Sequence, residues 1–65
     1  MNKIKDYRAK KKMSQEELAR HAKVSRTHLS NIETGEAQPT IDVAIRIAEA
    51  LDQKVDDIFF KEDVV

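Results

Sequence analysis

Apolar residues along this chain recur at helical spacing and never alternate, which predicts five helices and no strand. The first helix is expected over residues 2–12, where Ile4, Tyr7 and Arg8 share a face. Ser14 then stands where a helix N-cap belongs. Glu17 follows three residues later, giving the S-x-x-E pattern in which side chains satisfy two orphan amides reciprocally. That second helix runs to about Ala22 and turns Leu18, Ala19 and Ala22 inward. Ser25 opens a third, which continues to about Glu33. Its only apolar pair is Leu29 and Ile32, so its buried stripe is narrow and its polar face wide. Gly35 is the expected stop, because glycine alone enters the left-handed conformation without penalty.

Residues 36–39 form the one clear loop, and Thr40 caps a fourth helix over residues 41–51. Asp42, Arg46, Glu49 and Gln53 make a single polar stripe on it. Its other positions are apolar, so it is expected to be the central post of the core. A short fifth helix is predicted over residues 55–60, with Asp56 and Asp57 in the first turn, where the helix dipole favours negative charge. The tail IFFKEDVV concentrates apolar surface at the end of a small chain. Two readings stay open: Ile58 and one phenylalanine complete the core while the rest frays, or Phe59, Phe60, Val64 and Val65 form a subunit interface.

The chain's 65 residues suit one domain over 1–65, with 59–65 as its tail. A chain of this size buries only about 60% of its unfolded surface, which leaves no room for a deep substrate pocket. Cysteine is absent, which excludes disulfides and thiolate chemistry. No apolar run approaches membrane-spanning length, and the N-terminus MNKIKDYRAKKK lacks the apolar stretch of a signal peptide, so a cytoplasmic protein is expected. The net charge of zero hides an asymmetry. Residues 1–35 hold nine Lys/Arg against four acids, and residues 36–65 hold three against eight. Such segregation suggests one face suited to an anion, although uneven but ordinary surface charge gives the same tally.

Two helices joined by about three residues pack at a steep angle, the helix-turn-helix arrangement, with the second standing outward. On that second helix Arg26 is suited to guanine, Asn31 to the adenine edge, and Thr27 to a hydrogen bond or a thymine methyl. A major groove about 12 Å wide admits one such helix. A merely solvated helix face is the plain alternative.

The segments SQEELA (14–19), VSRTHLSNIETG (24–35), Pro39-Thr40, AIRIAEAL (44–51) and DDIFF (56–60) stand in order and at family spacing. In them the chain resembles the Xre family, the helix-turn-helix domains of phage Cro and repressor type, over residues 3 to about 60. The resemblance implies an all-α, compact five-helix fold of lambda-repressor type, with the helix-turn-helix at the second and third helices. It implies a sequence-specific regulator of double-stranded DNA, a repressor first of all, encoded by a bacterium or phage. Such a regulator would insert residues 25–33 into the major groove as a homodimer on a pseudo-palindromic operator. Position by position, Gln15 matches a phosphate-binding residue, and Arg26, Thr27 and Asn31 match base-reading positions. His28 and Ser30 flank these, and Lys23, Ser25 and the loop from Thr34 to Gln38 would lie near the duplex backbone. Arg8 matches an arginine that pairs with the glutamate at Glu33. No cofactor, metal or small-molecule ligand is implied.

Lys12, Lys23 and Asp52 depart from the family, which often carries glycine there. If their backbones are left-handed, each costs on the order of 1 kcal/mol. The two lysines, with the run Lys10-Lys11-Lys12, are candidate phosphate contacts, and a solvated helix end complementing the dipole is the alternative. A competing function is a protein-interaction module, antitoxin-like or adaptor, on the same fold. Enzyme chemistry is the weakest reading, since His21 and His28 have no matching acid or cysteine.

Overall fold

The computed structural model describes residues 2–65. It contains α1 (Ile4–Lys10), α2 (Gln15–Ala22), α3 (Arg26–Thr34), α4 (Ile41–Ala50) and α5 (Val55–Ile58), followed by a 3-10 turn at Lys61–Asp63. No strand occurs among the described residues. The three longest helices begin at the hydroxyl residues that the sequence marks. Ser14 Oγ accepts from the Glu17 amide at 3.0 Å, Ser25 Oγ from the His28 amide at 2.9 Å, and Thr40 Oγ1 from the Val43 amide at 3.4 Å. Each cap is worth about 1 kcal/mol relative to alanine. Only the serine half of the Ser14–Glu17 box forms, because the Glu17 side chain stays out in solvent.

The helix ends share one device. Lys12, Lys23 and Asp52 have φ of 55°, 59° and 56°, in the left-handed region. After each, the next amide reaches back to a carbonyl in the last turns of the preceding helix. Met13 donates to Arg8 (3.0 Å), Val24 to Ala19 (3.1 Å) and Gln53 to Ala48 (2.9 Å). This is the Schellman closure, normally built on glycine. It shortens α1 from the expected 2–12 to Ile4–Lys10, since a left-handed Lys12 cannot continue a helix. α4 likewise stops at Ala50, and α5 stops at Ile58 because Phe59 is extended.

α2 packs on α3 and α4, and α4 packs on α5. Leu18 and Ala22 of α2, Leu29 and Ile32 of α3, and Ile47 of α4 meet Ile4, Leu51 and Ile58 with essentially no exposure. Two expectations about α4 need correction. It is not buried all round: Ala44, Ile47 and Ala48 face inward, whereas Ile41 and Ile45 are 52% and 41% exposed. The four-residue α5 is too short to cover that side. Nor does Arg46 belong to a solvated stripe. It is half-buried, and its Nε donates to the Ala22 carbonyl at 2.8 Å, closing the last turn of α2. The tail does not fray. The Val65 amide donates to the Pro39 carbonyl at 3.0 Å, and Gln38 Nε2 donates to the Glu62 carbonyl at 2.6 Å.

Lys12 is exposed and its side chain has no partner among the described residues, so its left-handed backbone is uncompensated. Lys12→Gly should therefore stabilise the chain by about 1 kcal/mol, which thermal unfolding would show as a midpoint raised by about 4–8 °C.

Candidate nucleic-acid interface

α3 meets the rest of the molecule along one side only. Leu29 and Ile32 anchor it, while Arg26, Thr27 and His28 in its first turn are exposed. Ser30 and Asn31 are half-buried. With Thr27 they form the outward stripe at the i, i+3, i+4 spacing of one helix face. The turn into α3 is Lys23-Val24-Ser25. Lys23 supplies the left-handed corner, Val24 packs against the core, and Ser25 caps the helix. The corner therefore brings an ammonium group to the start of α3, beside the Arg26 and Thr27 amides, which have no acceptor within the helix.

The far end of α3 is held by polar tethers. Arg8 of α1 grips Glu33 with two parallel bonds, Nε to Oε2 at 3.0 Å and Nη2 to Oε1 at 3.2 Å. Its third nitrogen, Nη1, donates to the Met13 carbonyl at 3.1 Å. The side chains are only 16% and 8% exposed, so solvent screens the pair weakly. Asn2 Nδ2 donates to the Ile32 carbonyl at 2.7 Å, and the Ala37 amide to the Asn31 carbonyl at 3.0 Å. The carbonyl of Asn31 is thus committed to the loop, while its side chain has no partner among the described residues.

The cations divide into two groups. Four have partners inside the fold: Arg8 with Glu33, Arg46 with the Ala22 carbonyl, Lys11 with Asp52, and Lys10 with its ammonium 5.0 Å from the Tyr7 ring centre. Two lysines of the run 10–12 are thereby engaged at home, and Lys12 has no partner among the described residues. Lys5, Arg20, Lys23 and Arg26 are exposed and have no partner among the described residues. Gln15, the first residue of α2, lies with Ser30 and Thr34 in a shallow surface hollow that also takes in Lys5 and the Arg8–Glu33 pair. Arg26 lines a second hollow with Glu16 and Arg20. Lys5 and Arg20 join the candidate set only in three dimensions. The sequence shows only their charge and spacing, Lys5 one turn before Arg8 and Arg20 four residues after Glu16.

Among the residues expected at a subunit seam, Phe59 is 4% exposed and completes the core of its own chain. It also lines a surface groove with Ile41, Val55 and Phe60. Phe60 (49%) and Val65 (77%) are exposed, and Val64 is half-buried against the core. Among the described residues no cluster of His, Asp and Glu is placed to hold a metal ion.

Residues 4–58 match the family model described as helix-turn-helix. An uncharacterized HTH-type transcriptional regulator of Methanocaldococcus jannaschii is 42% identical over 62 residues, covering 95% of this chain and 94% of that protein. The uncharacterized HTH-type transcriptional regulator YgzD of Bacillus subtilis is 36% identical over 62 residues, with the same shares covered. Among solved structures, the clp gene regulator ClgR of Corynebacterium glutamicum superposes with a TM-score of 0.79 at 30% identity. The match takes in 83% of this chain and 57% of the ClgR chain, so this chain spans little more than half of that regulator.

Removing one partner of a shielded ion pair leaves the other charge uncompensated, a loss of about 3–5 kcal/mol. Arg8→Ala should fall in that range by urea unfolding. Replacing both residues by apolar side chains of similar volume, Arg8→Met with Glu33→Leu, should recover most of the loss.

Proposed function

The chain belongs to the helix-turn-helix family of transcriptional regulators, and on that premise we propose that it reads double-stranded DNA by inserting α3 into the major groove. The observation that carries this reading is the first turn of α3. The side chains of Arg26, Thr27 and His28 are exposed there and have no partner among the described residues, on a helix whose position is held by Leu29, Ile32 and the Arg8–Glu33 fork. Arg26 presents a planar fork to guanine O6 and N7. Asn31 pairs with adenine N6 and N7, Thr27 contacts a thymine methyl or a base edge, and His28 reaches an adjacent base. Each well-read base pair contributes about 1–3 kcal/mol of discrimination.

Gln15, Lys23, Ser25 and Ser30 hold the duplex by its phosphates, with the unpaired amides at the start of α2 adding to the attraction. This contribution is blind to sequence and falls with salt through counterion release. One helix reads only a few base pairs. The regulator therefore acts as a homodimer, with half-sites about 34 Å apart on a pseudo-palindrome. Occupying such a site blocks other proteins from it, so repression is the first-choice outcome. Among the described residues no helix is long and apolar enough to cross a membrane. The cytoplasm, where DNA is accessible, is the compartment this function requires.

Selection from randomised duplexes at near-physiological salt tests the reading. The expected result is enrichment of a pseudo-palindrome with half-sites one helical turn apart. No enrichment, together with a tight protein partner, would transfer the polar face of α3 to protein recognition.

Two variants separate the contributions. Arg26→Ala should lower affinity for the selected site by about 1–3 kcal/mol and leave random duplexes nearly unaffected. Equal losses on both would remove Arg26 from base reading. Lys23→Gly should weaken binding to every duplex and reduce the log–log salt slope by about 1. The same variant should raise thermal stability, because glycine fits the left-handed corner.

A further inference from the structure

One acid, Glu16, borders the same surface hollow as Arg26. Glu16, Ala19 and Arg20 stand at i, i+3 and i+4 on α2, so they share one face of that helix. The face turns toward the start of α3, against which α2 packs. Ala19, only 3% exposed, and the half-buried Val24 give the hollow an apolar floor, and Arg26 reaches its rim from α3. Glu16, Arg20 and Arg26 are exposed, and none of them makes an ion pair among the described residues. In the free chain nothing sets the plane of the Arg26 fork.

We propose that Glu16 is a positioning residue for Arg26 and decides how strictly that arginine reads guanine. This role rests on the DNA-binding reading of α3. A guanidinium has five N–H donors, and guanine O6 and N7 occupy two of them. The Glu16 carboxylate accepts from the edge that remains and fixes the plane of the fork across the hollow. Charge-assisted bonds made at two points carry direction as well as attraction. They strengthen on the duplex, where water leaves the hollow and the effective dielectric falls. The pairing also removes a cost. Glu16 follows Gln15, which holds a phosphate in that reading, so an unpaired carboxylate there would be repelled by the DNA backbone. Arg20, four residues on, is the rival partner, but exposed pairs at that spacing are weak, and this one is not formed.

Affinities for two duplexes test the role: the selected site, and the same site with the guanine pair facing Arg26 changed to adenine–thymine. Their ratio measures discrimination apart from overall attraction. Glu16→Gln should lower the ratio about fivefold, the low end of what one well-read base pair contributes. In an Arg26→Ala background the same substitution should leave the ratio unchanged. Glu16 also lies in the first turn of α2, where any acid complements the helix dipole. A role confined to that moves both affinities together, and such a result overturns the proposal. So does a loss of ratio that persists without Arg26. If Arg26→Ala lowers the ratio and Glu16→Gln does not, Glu16 alone is removed from the site. If Arg26→Ala itself leaves the ratio at the wild-type value, base reading by Arg26 falls, and the role of Glu16 falls with it.

Discussion

The position of α3 depends on the guanidinium of Arg8. A helix meant to stand clear of its domain can bury little, and α3 buries only Leu29 and Ile32. Two apolar contacts near its middle fix a location but leave the helix free to pivot. Arg8 removes that freedom because its fork engages Glu33 through two bonds, which define a plane as well as a distance. Its remaining nitrogen holds the Met13 carbonyl, in the turn that leads into α2. One side chain thus references α1, the approach to α2 and the end of α3 to each other. Lysine, a single point charge, could not do this.

Arg46 performs the matching task at the other end of the motif by closing α2 on the Ala22 carbonyl, immediately before the corner at Lys23. The two arginines bracket the helix-turn-helix from α1 and α4. Between them the corner carries lysine where glycine would be more comfortable, which exchanges some stability for charge at the start of α3. The same conformation at Asp52 has a different compensation, an ion pair with Lys11 that links the ends of α1 and α4.

Much of this was legible in the sequence, and the parts that were not have a common cause. Caps at Ser14, Ser25 and Thr40 and the stop at Gly35 are decided within four residues of chain, so local chemistry reveals them. The Arg8–Glu33 pair came from family resemblance, since nothing local connects residues 25 apart. The exposure of Ile41 and Ile45, the inward turn of Arg46 and the division of labour between Phe59 and Phe60 depend on what neighbouring elements leave uncovered. Helical periodicity says which residues share a face. It is silent on whether a partner is long enough to cover that face. α5, four residues long, was not.

The side chains of Arg26, Thr27 and His28 are exposed, and none makes a hydrogen bond or ion pair with the described residues. Exposed positions of this kind usually tolerate replacement within about 0.5 kcal/mol. Inheritance can therefore act on them separately from the scaffold. Lineages descended from such a chain are free to exchange these side chains one at a time and acquire new preferences, with no need for a compensating repair elsewhere.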